Sequence, residues 1–215
     1  MVETGNVPDR PPFASGMNSE WLDWPVTEAN ILPMLPTLTG ERVTLAPFRL
    51  EDSLQVQEYA GDEAVARTTM HIPHPYPNGV AEEWIASHDR LFIQKNDIVF
   101  AIRSSRGELY GAINLLLNLA KLEGELGYWV AVPFWGRGYC TEAVRLLIAY
   151  GFETLPLRSI HAHHFAHNPA SGRVMAKAGM KRAGYLKEHV MKHGELIDVV
   201  AYEIAREEFE ASAVA

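Results

Sequence analysis

Apolar and polar residues along this chain trade places with a period of two or of about 3.6, and each change of period marks an element. Residues 42–48 set Val43 and Leu45 against Thr44 and Ala46 and end at Pro47, which predicts a strand. Asp52 and Ser53 give a helix-start signal for a short helix over 51–59. Pro73, Pro75, Pro77 and Gly79 forbid regular structure across 67–80. Trp84, Ile85, His88, Leu91 and Phe92 then fall at helical spacing within 80–94. Two apolar runs, 97–103 and 108–117, are split by Ser104, Ser105, Arg106 and Gly107 and read as a hairpin. A further strand with period two covers 123–132.

The period then switches. Val144, Leu147, Ile148, Gly151 and Phe152 form one apolar stripe on a helix. Residues 159–165 return to strand. Asn168 followed by Pro169 reads as a helix cap and first turn, with Val174, Met175 and Ala178 as the inner face and Gly179 as the stop. Segments 183–191 and 198–205 pair around His193 and Gly194. The class is α/β with a mixed, mostly antiparallel sheet, because hairpins dominate. The strand–helix–strand unit over 123–165 demands one parallel pair. Residues 1–37, with Pro8, Pro11, Pro12, Pro25, Pro33 and Pro36, read as an N-terminal extension that Trp21, Leu22, Trp24 and Ile31 could dock onto the body or over a partner subunit.

Composition narrows the function. With 215 residues the chain is long enough for a real core, and 47% hydrophobic and 21% charged residues are ordinary for a globular protein. A net charge of −8 argues against a nucleic-acid footprint and is compatible with a cationic acceptor. Cys140 is the single cysteine, so no intrachain disulfide forms and a reducing compartment is expected. No long apolar run and no signal pattern occur, which makes the cytoplasm the default and a membrane partner unexpected.

The segment from Val130 to Ala143 joins a strand to a helix and holds Gly136 and Gly138 just before the helix. Small residues there let backbone approach a ligand, and the N–H groups and dipole of the first helical turn favour an anion such as a pyrophosphate. Arg137 adds a formal charge. The same spacing also suits a tight turn with no ligand. It is neither a P-loop nor a dinucleotide fingerprint, since no Gly-Lys-Ser/Thr follows and Thr141 stands where the third glycine would fall.

At this point the chain resembles the Gcn5-related N-acetyltransferase (GNAT) superfamily, and most of all its ribosomal-protein N-terminal acetyltransferase branch. The residues carrying the resemblance are "RVTLAPFRLED", "GELGYWVAVPFWGRGYCTEA" and "HNPASGRVMAKAGM", within a match over about 38–207 that leaves 208–215 as a short tail. The family's Gln/Arg-x-x-Gly-x-Gly/Ala motif falls on Trp135 to Cys140, with Trp135 at the first position and Cys140 where Gly or Ala is usual. The resemblance implies a sheet splayed at its central parallel pair and flanked by helices, with acetyl-CoA as acetyl donor. The pantetheine arm would run along Trp129, Val130, Ala131 and Val132. The pyrophosphate would meet N–H groups of Arg137, Gly138, Tyr139, Cys140 and Thr141, and Asn168 and Ser171 would face the cofactor. It also makes a homodimer plausible.

The implied reaction is direct transfer of acetyl to a primary amine, either a protein N-terminal α-amine or a small-molecule amine. The amine must be neutral to attack. Glu125 is the candidate base, because on a strand with Gly127 and Trp129 it sits beside an apolar wall that would raise its pKa. A solvated or ion-paired carboxylate is the other reading, and Glu123 could act instead through water. A backbone N–H near Val130 would serve the oxyanion. Ser171 is assigned to the leaving thiolate by the resemblance, although a helix-start serine also bonds locally. Many superfamily members use a tyrosine acid four residues later, where this chain has Met175. That departure supports the competing reading, a non-catalytic acyl-CoA-binding module or sensor. His71, Tyr76 and Trp84 are candidate acceptor-pocket residues, with plain loop packing as the alternative. His161, His163, His164 and His167 lack a carboxylate or cysteine at ligand spacing, so no metal is expected. Cys140 reads as a small residue beside the cofactor sooner than as a reactive thiol.

Overall fold

The computed structural model describes residues 35–213, so Trp21, Leu22, Trp24 and Ile31 lie outside the described residues. In chain order the elements are β1 (Leu38–Thr39), β2 (Val43–Ala46), a 3-10 turn (Leu50–Asp52), α1 (Ser53–Ala60), α2 (Glu63–Ala66), α3 (Val80–Ile93), β3 (Asp97–Ser104), β4 (Leu109–Asn118) and β5 (Glu123–Val130). There follow α4 (Tyr139–Thr154), β6 (Ser159–Phe165), α5 (Pro169–Lys177), β7 (Lys181–Lys192), β8 (Glu195–Ala205) and α6 (Arg206–Ala213). The strands form one sheet in the order β1-β2-β3-β4-β5-β6-β8-β7. Every pairing is antiparallel except β5 with β6, as the crossover through α4 requires.

Both sheet faces are covered. On one face α4 buries Val144, Leu147, Ile148 and Phe152 against Ile113, Leu115, Leu126 and Ile160, and α5 adds Met175. On the other, Val56 and Ala60 of α1 and Ala81 and Ile85 of α3 pack on Ala101 and Leu109. The Arg103 guanidinium reaches Asp52 Oδ2 at 2.5 Å and ties α1's entry to β3. The expected cap of α5 is present: the Asn168 side chain accepts from Ser171 N–H, Pro169 opens the helix, and Gly179 follows it with φ +97°.

The structure departs from the periodic reading at several places, the short β1 among them. β5 ends at Val130, because Pro133 breaks the ladder and Val132–Phe134 turns as a 3-10 element. α2 is a single turn held by the Asp62 side chain on Ala64 N–H, too short to show a period. The chain after β8 is helical, and Phe209 of α6 packs on Phe152 at 5.2 Å.

The feature that matters for function lies in the middle of the sheet. The parallel register runs Glu123↔Ser159, Gly124↔Ile160 and Glu125↔His161, and there it stops. Both strands continue, β5 to Val130 and β6 to Phe165, without pairing to each other.

Candidate active site

The turn after β5 leaves its amides open. Gly136 and Gly138 adopt φ of +72° and +84°, values that glycine takes without a Cβ clash. Among the described residues, the N–H groups of Gly136 through Thr141 donate to no protein acceptor; the first bonded one is Glu142, to Gly138 O. No side chain caps α4. These are the orphan donors of a helix start, at the end where the dipole is positive. Trp135 has a definite use: its indole Nε1 donates to Val130 O at 2.6 Å and folds the turn back onto the strand end. Tyr139 stacks on Tyr110 at 4.5 Å and fixes the first residue of the helix.

Arg42, which the sequence reading did not single out, also reaches this turn. Its Nη1 donates to Arg137 O at 3.1 Å and its Nε to Glu142 Oε2 at 2.9 Å, while Glu142 Oε1 accepts from the backbone N–H groups of Arg42 and Val43. A cation from the start of β2 thus stands beside the open amides together with Arg137. Nothing in local spacing could reveal a partner so far away in sequence.

The edge of β5 is open next to the turn. Ala131 N–H donates to Tyr110 O, and Leu122 O accepts from Arg158 N–H near the start of β6. In an antiparallel ladder that phase points the odd residues of β5 toward β4 and the even ones toward β6. Beyond Glu125 the main-chain groups of Leu126, Tyr128 and Val130 therefore face the gap where β6 has parted from β5. An extended ligand can add there as a strand does. The open turn and this edge together can take an anion followed by an extended chain, with Val130 N–H directed into the gap. The side chains of Glu125 and Trp129 lie on the α1/α3 face, and Trp129 packs on the same small cluster as Tyr76 and Trp84.

Glu125 stands at the vertex of the splay. Its Oε1 lies 3.5 Å from His163 Nδ1 and its Oε2 3.8 Å from His161 Nε2. The expected rise in its pKa is reversed. Contacts with His161 and His163 outweigh burial and hold the carboxyl well below the usual carboxylate range. His161 in turn is raised, chiefly by Glu125. The histidine run therefore does meet a carboxylate, supplied across the parallel register, yet no group of three His, Cys, Asp or Glu among the described residues is arranged to hold a metal ion. His164 points to the opposite face beside Gly172, with Nδ1 2.9 Å from Phe165 O.

Across the gap, Ser171 meets an unforeseen partner. Tyr128 OH donates to Ser171 O at 3.1 Å and lies 2.8 Å from Ser171 Oγ. Burial raises the Tyr128 pKa, so the phenol stays protonated. The inner face of α5 holds Met175 in the core, and tyrosine hydroxyls reach this helix from other elements: Tyr128 of β5 at Ser171, and Tyr202 of β8 beside Gly172. The Cys140 thiol is pushed up to about 12 by burial, which suits a packing residue and not a thiolate. Of the acceptor-pocket candidates, Trp84 contacts Phe48 and His88 edge to face, Tyr76 is half-buried and His71 is exposed.

Comparison with known proteins agrees with this geometry. The family model for an acetyltransferase (GNAT) domain matches residues 42–181. The uncharacterized N-acetyltransferase YoaA of Bacillus subtilis (strain 168) is 30% identical over 176 residues, covering 80% of this chain and 98% of that protein. A GNAT-family acetyltransferase structure from Bacillus anthracis superposes with a TM-score of 0.71 at 25% identity, covering 80% of this chain and 99% of that one. The ribosomal L7/L12 alpha-N-protein acetyltransferase RimL, solved with coenzyme A, shares the fold with a TM-score of 0.72 at 14% identity, over 79% of this chain and 98% of its own.

Proposed function

Because the chain belongs to the GNAT acetyltransferase family, with acetyl-CoA as its acyl donor, we propose that it transfers the acetyl group directly to a primary amine, a protein N-terminal α-amine or a small-molecule amine, with donor and acceptor bound together. The carrying observation is the end of β5–β6 pairing at Glu125↔His161 beside amides that no group among the described residues uses. The amides of residues 137–141, with Arg137 and Arg42, would hold the diphosphate. The edge from Trp129 to Val132 would hold the pantetheine arm, and Asn168 and Ser171 would border it. Val130 N–H is aimed to stabilise the oxyanion. Glu125 belongs to the proton-accepting centre, and the Ser171–Tyr128 hydroxyls to the side where the thiolate leaves. Glu123, Glu125 and Glu203 surround His161 with negative charge, which favours an amine that arrives as a cation. A reducing, cytoplasmic setting suits the lone buried thiol.

Thermal unfolding with acetyl-CoA tests the site, and thiol release against a panel of peptides and small amines tests the chemistry. At a hundredfold excess over Kd, the donor should stabilise the protein by about 2.7 kcal/mol. A melting temperature that ignores acetyl-CoA would refute the site. Stabilisation without thiol release from any amine would refute transfer.

A further inference from the structure

We propose that His163 is the group that takes the proton from the attacking amine, with Glu125 as its positioning carboxylate and His161 facing that carboxylate's other oxygen. The inference rests on the acetyl-transfer reading above and assigns a residue to its proton step.

Position comes first. The parallel register ends at Glu125↔His161, and His163 lies two residues further along β6, on the same face and in the stretch that has left β5. Its ring therefore stands over the opened part of the sheet, on the face shared with Glu125 and His161 at the vertex. Each carboxylate oxygen faces one imidazole: Oε1 to His163 Nδ1 at 3.5 Å, Oε2 to His161 Nε2 at 3.8 Å. With Nδ1 turned to Glu125, His163 presents Nε2 outward as the acceptor atom. The side chains of His161, His163 and Glu125 are 31%, 33% and 46% exposed, so amine and water both reach them.

The surrounding charges agree. Glu123 on β5 and Glu203 on β8 add negative potential at His161. β8 sets uncharged Ala201 opposite His163. Lys181 on β7 lies opposite Glu203, but its ammonium goes to Glu208 at 2.5 Å. Glu125 thus favours the charged form of His161, and the contact with His161 in turn favours the ionised form of Glu125. A carboxylate held that strongly acidic is a poor acceptor for an amine's proton, whereas the imidazole beside it offers a ring nitrogen with a lone pair. In the step itself the amine, its ammonium proton first lost to solvent, forms the C–N bond through its lone pair at the thioester carbon, and one of its N–H protons passes to His163 Nε2. The C–S bond breaks, the thiolate leaves beside the Ser171 and Tyr128 hydroxyls and takes its proton from water, and the imidazolium returns its proton to solvent, which restores the balance.

Two measurements decide it. In histidine-labelled protein without donor, nitrogen NMR should show His163 as the Nδ1–H tautomer, and Glu125→Gln should abolish that preference. With the best amine of the panel, His163→Gln should lower kcat by about 10²–10⁴-fold and remove the acid limb of the kcat/KM profile, while acetyl-CoA affinity holds. An Nε2–H tautomer overturns the proposal, and so does a His163→Gln enzyme with wild-type kcat and an intact acid limb. A wild-type protein that releases no thiol counts against the transferase reading, and the tautomer still judges His163 by itself.

Discussion

Gly138 has φ +84°, and a Cβ built on it would stand 3.2 Å from the Arg42 guanidinium. Two separate penalties follow for any side chain there. The left-handed conformation costs roughly 1–2 kcal/mol, and the bulk displaces Arg42 from the turn. Gly138→Val should therefore weaken acetyl-CoA binding by about tenfold or more, read by calorimetric titration. Gly136, at φ +72°, has nothing within 4 Å of a built Cβ, so Gly136→Ala should bring strain without displacement and a smaller loss of affinity. Unchanged affinity in Gly138→Val would mean that the anion does not sit on this turn.

Helix α4 supplies the amides of that turn, and its far end is held by a residue of the last helix. Arg206 donates from Nε to Leu157 O at 2.8 Å, from Nη1 to Phe152 O at 2.7 Å and from Nη2 to Leu155 O at 2.7 Å. A cation on the C-terminal carbonyls offsets the negative end of the dipole and satisfies acceptors that lack intrahelical partners. Arg206→Ala should cost about 2–3 kcal/mol, since charge-assisted hydrogen bonds are the strong ones and this site is only partly exposed. Urea denaturation should show a lower midpoint at unchanged slope. A midpoint that stays put would leave α6 without a role in holding α4. What the sequence makes legible at this scale follows from locality. The stripe on α4, the Asn168–Pro169 cap and the β3–β4 hairpin are written within a few residues of themselves, as is the glycine turn. The one-turn α2, the Arg206 clamp and Arg42 beside Arg137 depend on partners that arrive from elsewhere. The same holds for Glu125. Its strand alternation was visible, but the imidazoles that reverse its acidity reach it through a parallel register that no spacing rule states.

The molecule as a whole carries these titrating groups into its response to pH, and their signs differ. His161 is raised by Glu125, so its contribution to stability is present below the ordinary imidazole pKa and fades as pH climbs through the folded value. His88 runs the other way. It is buried on α3 against Phe48 and Trp84, and among the described residues neither ring nitrogen has a hydrogen-bond partner. Burial lowers its pKa from 6.5 to about 4, against a small opposing pull from Asp89. The folded protein keeps this ring neutral while the unfolded chain binds a proton, so the contribution is complete above 6.5 and is lost as pH falls toward 4. The full loss amounts to about 3 kcal/mol, a large share of the stability of an ordinary domain. His88→Phe keeps a ring against Phe48 and Trp84 and removes the proton site. Urea midpoints taken between pH 7 and pH 4 should therefore fall less steeply in the variant than in the wild type. Parallel slopes would show that the imidazole is hydrated or partnered in solution, and that acid sensitivity in this range belongs to other groups.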